Sequence, residues 1–456
     1  MGAWLGRGAT AICRGLRDRG RSGDEVTVAL LHRAETRPIT HARRVGFCGL
    51  LGAGNLGNDG SLEVMLAYLR AEHPDVIVDC MSTRPDQVTA RYGIPAVQLR
   101  WYRKDHEPVP IVRYVMVPLA MIVDAFRTAS WVRRHDVVIV PGMGVLEATL
   151  PLRPWHTPYS VFLLCASGRL FGTRVALVCV GANDIHQRLT RRVVIASARL
   201  AYYRSYRDTF ARDAMRRMGL DTSRDAVYPD LAFALPTPRG GPVVAGSVGV
   251  GVMDYHGGND DRWQADQLHA SYVERMTSFV LWLVDNGRPV RLFATDVHDE
   301  PVVREVIADV HAHRPGLAPW QVIAEPVPSL DELMRRLASV DTVVATRYHH
   351  VVCALKLAKP TLSVGYAAKF DVLMAEMGLA EFCQSARSVD VDRLIRQFTE
   401  LESRSAQLRQ TLTERTAANA RLLNHQFATL SALLFWAAEP VRTAAEHKRA
   451  RTDVLP

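Results

Sequence analysis

The sequence has no closely paired cysteines and no long uninterrupted apolar segment. Its seven cysteines are scattered and never form a C-x-x-C pair, which favours buried, reduced thiols over a zinc site. No run of about 18 apolar residues lacks a charge, so we predict no transmembrane helix. Charged residues such as Arg7, Arg14 and Arg17 interrupt the first forty residues, which argues against a signal peptide. We therefore expect a cytoplasmic protein.

Lysine is also scarce, with only five in 456 residues, so arginine supplies nearly all of the positive charge. The net charge of +9 favours anionic ligands or an anionic membrane surface. No basic run is interleaved with aromatic residues and no zinc-finger or RNP pattern occurs, so we expect no nucleic-acid partner. No spacing of ligand residues suggests a metal, and we expect neither a metal nor a cofactor.

Short β-branched segments alternate with helical segments through most of the chain. This alternation predicts an α/β fold in which helices cover both faces of a parallel sheet. A proline- and glycine-rich segment at 235–242 predicts a linker between two Rossmann-like lobes. We predict four regions: a basic N-terminal extension at 1–42, a first lobe at 43–236, a second lobe at 243–385, and a helical C-terminal segment and tail at 386–456.

Individual elements follow from the apolar periodicity. In the first lobe we predict strands at Val45–Leu50, Val76–Cys80, Val137–Val140 and Val175–Val180, and helices at Gly60–Arg70 and around Val193–Tyr203. In the second lobe we predict strands at Val290–Ala294, Thr342–Ala345 and Thr361–Val364, and helices at Ala270–Val284, Leu330–Leu337 and His350–Leu357. Leucines recur at helical spacing from Val391 to Trp436, which predicts helices that pack across the lobes or form a dimerising coiled coil.

A G-x-G-x-x-G pattern formed by Gly52, Gly54 and Gly57 connects the first strand to a helix. Asp79 closes the second predicted strand, and together these features satisfy the dinucleotide-binding fingerprint. A helix N-terminus in such a loop also offers free N–H groups to an anion. Asn55 and the Asn58-Asp59 pair equally suit ordinary turn and capping chemistry. An NAD(P) site, an anion or sugar site, and a structural turn therefore all stay open.

Two further glycine turns follow strands of the first lobe. One contains Gly142 and Gly144, and the other runs from Gly181 to Asn183. Loops at the carboxyl ends of parallel strands line the ligand crevice of an open α/β sheet. Three such loops in one lobe therefore favour a binding cleft.

The most informative segment places Arg347 and His349 between an apolar strand and a helix. An arginine can bind a carboxylate or phosphate through two parallel hydrogen bonds, and a histidine can move a proton near neutral pH. Arg207 follows the predicted helix around Val193–Tyr203, and Lys369 follows the predicted strand Thr361–Val364. Three cations near loop ends suit a ligand that carries a phosphate and a carboxylate. His350 is the more structural of the two neighbouring histidines.

The order of these motifs resembles the polysaccharide pyruvyl transferase family over about residues 46–379. The matching segments are Gly52–Asp59, Ser82–Tyr92, Asp136–Gly144, Tyr206–Asp208, Val227–Asp230, Thr346–His349 and Gly365–Lys369. The resemblance implies a two-lobed, GT-B-like fold with the site between the lobes. It also implies that Arg207, Arg347 and His349 contact phosphoenolpyruvate. Three loops depart from the family pattern: Gly-Met-Gly144 replaces three glycines, Gly181-Ala-Asn183 replaces Gly-x-Gly-Pro, and Asn58 precedes Asp59 where the family often has the acid directly after glycine.

The resemblance implies a bacterial enzyme that transfers the pyruvyl group of phosphoenolpyruvate to a sugar of a cell-wall or other cell-surface polysaccharide, or of a glycolipid, and forms a cyclic ketal. We assign catalytic roles to His349, Arg347 and Arg207, and substrate contacts to Gly52, Gly54, Asn55, Gly57, Asp59, Gly142, Gly144, Asn183 and Lys369. Peripheral contact with the inner face of a membrane and homo-oligomerisation stay open. The alternatives are a GT-B glycosyltransferase that uses a nucleotide sugar, an NAD(P)-dependent oxidoreductase, and a non-catalytic glycan-binding relative.

Overall fold

The computed structural model describes residues 44–102, 110–147, 154–238, 242–325 and 327–435. The predicted N-terminal extension lies outside these ranges, as do part of the predicted linker and the chain beyond residue 435. Within the described ranges the chain forms two parallel β-sheets covered by helices. This arrangement confirms the predicted α/β class.

The first sheet has seven parallel strands in the order β3-β2-β1-β4-β5-β6-β7. These strands are β1 (Arg44–Gly49), β2 (Ile77–Ser82), β3 (Ala96–Gln98), β4 (Val137–Pro141), β5 (Arg174–Val180), β6 (Tyr203–Tyr206) and β7 (Ala226–Val227). The central strand β4 is buried along its whole length, as expected for an apolar strand that is covered on both faces. The strand order reverses between β1 and β4, where an open α/β sheet forms its ligand crevice.

The second sheet repeats this topology with six parallel strands in the order β10-β9-β8-β11-β12-β13. These strands are β8 (Val248–Gly251), β9 (Val290–Phe293), β10 (Val322–Ala324), β11 (Thr342–Ala345), β12 (Thr361–Gly365) and β13 (Cys383–Ser385). Its order reverses between β8 and β11. The motif that contains Arg347 and His349 follows β11, so it starts at this switch point.

Thirteen α-helices connect and cover the strands in the described residues. They are α1 (Leu56–Glu72), α2 (Pro85–Tyr92), α3 (Pro110–Val132), α4 (Thr157–Phe171), α5 (Arg188–Leu200), α6 (Thr209–Arg217), α7 (Ala265–Asp285), α8 (Glu300–His313), α9 (Leu330–Ala338), α10 (Tyr348–Lys356), α11 (Ala368–Glu376), α12 (Val391–Ser403) and α13 (Ser405–Leu430). In this part of the chain, no helix combines the length and apolar character that crossing a bilayer requires.

One sequence-based element is wrong. Tyr203 was predicted to end a helix, but α5 stops at Leu200 and Tyr203 begins β6. A short strand that carries an arginine and a serine lacks the apolar run by which strands are recognised. Pairing with β5 places it in the sheet.

The C-terminal helices contact both lobes, as predicted. Helix α13 donates a hydrogen bond from Thr416 to the Leu355 carbonyl in the second lobe (3.2 Å) and one from Gln426 to Ser205 in the first (2.9 Å). The leucines at 408, 412, 423 and 430 are buried within the chain itself. These helices therefore link the two lobes, and the four named leucines pack within the chain.

Candidate active site

The site lies where loops at the carboxyl ends of both sheets meet. In the first lobe, α1 starts after the glycine-rich loop that follows β1, and Arg207 directly follows β6. In the second lobe, α10 starts after β11 with Arg347 as its N-cap residue. Contacts between Gly57 and His349, and between Glu147 and Lys369, join the two lobes at this point.

The glycine-rich loop is held in place by side chains of its own segment. Gly52 and Gly54 adopt φ values of 73° and 89°, which glycine reaches without steric cost. The side chain of Asn55 accepts a hydrogen bond from the Asn58 amide (3.2 Å), and Oδ1 of Asp59 accepts one from the Gly52 amide (2.8 Å). Asp59 is buried, and burial raises its pKa. In this structure Asn55 and Asp59 support the loop.

Asp79 does not occupy the position that a dinucleotide site requires. It was predicted to close the second strand, but β2 continues to Ser82. Its Oδ1 accepts hydrogen bonds from Nε1 of Trp131 (3.0 Å) and pairs with Nε2 of His135 (2.8 Å). The carboxylate therefore ties β2 to helix α3 and the residues after it. Asp79, the acid of the dinucleotide fingerprint, thus has a structural role in this fold.

Gly57 lies against the ring of His349. A methyl group at position 57 would lie 1.9 Å from Cε1 of His349, which is far inside van der Waals contact. Glycine at this position therefore allows the imidazole to approach the first turn of α1. The last glycine of the sequence motif makes room for a predicted catalytic residue of the other lobe.

His349 faces Asp230, a residue that the site prediction omitted. Nε2 of His349 lies 3.8 Å from Oδ2 of Asp230, and both atoms are buried without a hydrogen-bond partner among the described residues. The other oxygen of Asp230 accepts a hydrogen bond from the Ala232 amide (2.9 Å). Burial lowers the pKa of His349, and the charges of Arg207 and Lys369 lower it further, while Asp230 acts in the opposite direction. The imidazole is therefore neutral at neutral pH.

Glu147 joins two of the predicted cationic residues. One oxygen accepts a hydrogen bond from Nη2 of Arg207, and the other lies 3.2 Å from Nζ of Lys369. Burial alone would raise the pKa of Glu147, but the charges of Arg207 and Lys369 lower it overall. Sequence reasoning missed this acid because it follows the Gly142–Gly144 turn without a motif of its own.

An aromatic ring completes this cluster. The Tyr348 ring centre lies 4.7 Å from Cζ of Arg207 and 5.5 Å from Nζ of Lys369, so the ring faces both cations. Burial raises the pKa of Tyr348, which keeps its hydroxyl protonated. In the same cluster, Nε of Arg207 is buried without a hydrogen bond among the described residues, and Oδ2 of Asp208 lies 3.5 Å from it. The N–H of this atom is thus not used in a hydrogen bond, although a carboxylate lies beside it.

Two of the predicted glycine turns make space for this cluster. A methyl group at Gly144 would lie 2.8 Å from Cδ of Glu147, and one at Gly181 would lie 2.6 Å from Nη2 of Arg207. Gly142 adopts a φ of 49° and packs against Ser61 of α1. Asn183 is partly buried and follows the Leu146–Ala182 bridge that connects the second and third turns. The second and third turns therefore meet, and the second lies against α1, the helix that follows the glycine-rich loop.

Arg347 binds a different acid from the one that holds Arg207 and Lys369. Its Nε and Nη2 donate to the two oxygens of Asp299, which is fully buried. Burial by itself lowers the pKa of Arg347, but the hydrogen bonds and charge of Asp299 raise it overall. Nη1 is the guanidinium nitrogen that this pair does not use. Asp299 is a second acid that the sequence analysis did not identify, since it lies in a short turn before α8.

His350 fits the structural role predicted for it. It is buried against Gly251, with 2.2 Å between Nδ1 and the position a methyl group would take there. Neither ring nitrogen has a hydrogen-bond partner in the described residues. Burial and the charge of Arg347 lower its pKa to about 3.

Solved structures confirm the two-lobed architecture. A UDP-GlcNAc 2-epimerase from Methanocaldococcus jannaschii aligns with a TM-score of 0.53 at 9% identity, covering 78% of this chain and 91% of that one. A putative UDP-N-acetylglucosamine 2-epimerase from Listeria monocytogenes gives 0.55 at 11% identity, with coverage of 85% and 96%. Anabaena HepE in complex with UDP-glucose gives 0.51 at 13% identity, with coverage of 86% and 100%. At such low identity these similarities show a GT-B-type fold and nothing about the ligand.

The sequence comparisons address the family. No curated protein matches the chain. The family model for polysaccharide pyruvyl transferase matches residues 55–367, a range that starts in the glycine-rich loop and ends two residues before Lys369. This match covers most of the chain, including the switch point of the second sheet and the motif that contains Arg347 and His349. The chain therefore belongs to the polysaccharide pyruvyl transferase family.

Proposed function

We propose that the protein transfers the pyruvyl group of phosphoenolpyruvate to a sugar of a cell-surface polysaccharide or glycolipid and forms a cyclic ketal. Family membership supports a transferase that acts on a saccharide. The donor and the ketal product are part of this proposal. The observation that carries it concerns Nε2 of His349 and Oδ2 of Asp230, which face each other without hydrogen bonds. They lie beside the cluster of Arg207, Lys369 and Glu147.

The cations of the cluster suit an anionic donor. Arg207 and Lys369 are paired with Glu147, and Oδ2 of Asp208 lies 3.5 Å from Nε of Arg207, so a bound anion would compete with these carboxylates. Nε of Arg207 is buried without a hydrogen bond, so a phosphate or carboxylate oxygen that reached it would satisfy a polar atom that is otherwise costly to bury. Arg347 supplies a further cation, through Nη1 or through exchange of Asp299 for the ligand. In this scheme Arg207 and Lys369 hold the phosphate and Arg347 holds the carboxylate.

The reaction requires two hydroxyl groups on one acceptor sugar. The first hydroxyl oxygen bonds to C2 of phosphoenolpyruvate while its proton passes through His349 to the methylene carbon, which becomes a methyl group. The C2–O bond to phosphate then breaks and phosphate leaves with the bonding electrons. The second hydroxyl oxygen bonds to C2 and closes the ketal, and its proton ends on the departing phosphate. Bound cations offset the charge that develops on that phosphate.

His349 is suited to start this sequence as a base. Because burial lowers its pKa, the imidazole is neutral near pH 7 and can accept a proton from a hydroxyl. An acceptor hydroxyl about 2.8 Å from Nε2 of His349 would donate its single proton to that nitrogen. The neighbouring carboxylate of Asp230 would stabilise the imidazolium that forms.

Titration calorimetry with phosphoenolpyruvate tests this proposal without knowledge of the acceptor. We expect binding to the wild-type protein and a loss of about 2 kcal/mol or more in Arg207→Gln, the scale of a lost charge-assisted hydrogen bond. Arg415→Ala, an exposed arginine on α13, is the matched control and should bind as the wild type does. UDP-glucose and NAD⁺ are titrated in parallel.

Each outcome has a defined meaning. Binding of UDP-glucose without binding of phosphoenolpyruvate would favour the glycosyltransferase alternative and contradict the proposal. Binding of none of the three ligands up to about 1 mM, a typical upper limit for enzyme substrates, would favour a non-catalytic relative. Circular dichroism of each variant confirms that the fold is intact.

We also propose that the protein contacts the anionic inner face of a membrane, where a lipid-linked acceptor would be reached. Helix α3 exposes Leu119, Ile122 and Phe126 at helical spacing, with exposed fractions of 44%, 56% and 74%. Arg133 and Arg134 are exposed just after the helix. An apolar helix face next to basic residues is suited to an anionic lipid surface.

A further inference from the structure

Two histidines and an aspartate form a cluster in the second lobe, outside the residues used above. Asp254 and His256 lie in the loop after β8, and His269 lies in α7. Oδ1 of Asp254 is 2.9 Å from Nε2 of His256 and 3.2 Å from Nδ1 of His269. One ligand atom from each residue lies within 4.8 Å of the others. Two imidazole nitrogens thus converge on one carboxylate.

The geometry around His269 points to a missing partner. Its Nδ1 is buried without a hydrogen bond among the described residues, although the carboxylate lies close by. Its other nitrogen, Nε2, lies 3.7 Å from Oε2 of Glu305 in α8. A carboxylate on the far side of a histidine ring fixes the ring orientation and the tautomer of metal-binding histidines. Glu305 is therefore placed to leave Nδ1 of His269 available to an ion.

The two imidazole rings are also arranged as a pair of ligands. Their centres are 4.6 Å apart and their planes differ by 13°. Ligand atoms about 2.1 Å from a zinc ion lie about 3.4 Å apart in tetrahedral geometry. The observed separations of 2.9 and 3.2 Å are close to that value, so small side-chain movements would complete the coordination.

We propose that Asp254, His256 and His269 bind a divalent first-row transition-metal ion. Two imidazole nitrogens and one carboxylate are a common ligand set for Zn²⁺ and for Fe²⁺-type ions, and it leaves coordination positions for water or a ligand oxygen. His256 is partly exposed, with 45% of its side chain accessible, so an ion can enter from solvent.

The site is connected to the proposed donor-binding residues. The Asp254 amide donates a hydrogen bond to Oδ1 of Asp299 (2.9 Å), and Asp299 forms the ion pair with Arg347. An ion bound to Asp254 would therefore also hold the Asp254 amide in place. That amide orients the Asp299 carboxylate, which in turn positions Arg347.

Calorimetric titration of Zn²⁺ into metal-stripped protein tests the proposal in the absence of donor and acceptor. We expect one tight site in the wild-type protein and an affinity at least about tenfold weaker in His256→Gln and His269→Gln, as for the loss of a group that supports a metal. His311→Gln is the matched control, because His311 is an exposed histidine of the same lobe outside the cluster. It should bind Zn²⁺ as the wild type does.

A second readout separates metal binding from folding. Co²⁺ added to stripped wild-type protein should give visible absorption bands that His256→Gln lacks, while the thermal unfolding of the two metal-free proteins stays the same. The proposal would be overturned if Zn²⁺ bound with equal affinity and stoichiometry to the wild type, His256→Gln and His269→Gln. Any binding would then be adventitious. Because no donor is present, this result is independent of the outcome with phosphoenolpyruvate.

Discussion

Nζ of Lys369 lies 3.2 Å from Oε2 of Glu147, and this ion pair connects the second lobe to the first at the candidate active site. Lys369 stands in α11, while Glu147 follows a glycine turn after β4. Both side chains are largely buried, so the pair is shielded from solvent and from salt. The same carboxylate holds Arg207, and the two predicted cations are therefore linked through one acid that the sequence analysis did not identify.

Replacing Lys369 tests whether this cation binds the donor. We expect Lys369→Met to raise the Kd for phosphoenolpyruvate at least about tenfold, because a charge-assisted contact contributes about 1.5–3 kcal/mol. Arg207 would remain paired with Glu147, so the fold should persist. Calorimetry measures the affinity, and Arg415→Ala is the control. Unchanged affinity in Lys369→Met would leave this residue as a structural link between the lobes.

The pH dependence of stability reports on Glu147. Its pKa is lowered in the folded protein, so its contribution to stability is complete above the unfolded-state pKa of about 4.3 and is lost as the pH falls through the lower folded-state value. We expect Glu147→Gln to be less stable by about 3 kcal/mol at pH 7, since a buried pair loses one partner. This difference should shrink below a pH of about 4.

Urea unfolding of both proteins between neutral and acidic pH measures that difference. The buried carboxyl group of Asp59, whose pKa does not depend on Glu147, titrates in both proteins and cancels in the comparison. A difference that stays constant with pH would show that Glu147 is already protonated in the folded state.

His349 should determine the acidic limb of the pH–rate profile. We expect His349→Gln to lower kcat by about 10²–10⁴-fold, the usual contribution of a general base. In the wild type the acidic limb should lie below a pH of about 6.5, because burial lowers the pKa of this imidazole. Asp230→Asn should move the limb to still lower pH, since the charge of Asp230 raises that pKa. Phosphate release from phosphoenolpyruvate with acceptor present is the assay. An unshifted limb in Asp230→Asn would exclude coupling between the two residues.

Gly57 offers a test of geometry alone. Gly57→Ala suits a helix, but its methyl group would collide with the His349 ring. We expect a loss of kcat comparable with that of His349→Gln and no further loss in the double variant, because the two changes disable the same group. Gly316→Ala is the control, since a methyl group there meets nothing within 4 Å. Additive losses in the double variant would contradict this account.

Membrane contact can be tested by vesicle flotation. Phe126→Ser should reduce binding to vesicles that contain anionic phosphatidylglycerol, because it removes the most exposed of the three apolar side chains on α3. Leu422→Ser is the matched control, since Leu422 is an exposed leucine (47%) on α13. Equal flotation of the wild type and Phe126→Ser would argue against a membrane role for this helix face.

The sequence determined the local elements of the fold and the loops where chemistry would occur. Apolar runs such as Thr342–Ala345 and Thr361–Gly365 form strands because β-branched residues suit a strand that is buried on both faces. Glycines marked the turns after the strands of the first lobe. His349 and Lys369 were identified because polar residues that follow apolar strands are unusual enough to recognise, whereas Arg207 was identified as a cation between two predicted helices.

Only the tertiary structure decided which of these side chains meet and which acids neutralise the cations. Glu147 and Asp299 carry no sequence signature, and each lies far along the chain from the cation it binds. Asp79 matched a dinucleotide motif, yet Trp131 and His135 use its carboxylate inside the first lobe. Local patterns report secondary structure because helices and strands have fixed periods. Contacts between distant segments depend on how two sheets pack together, and no local period encodes that packing.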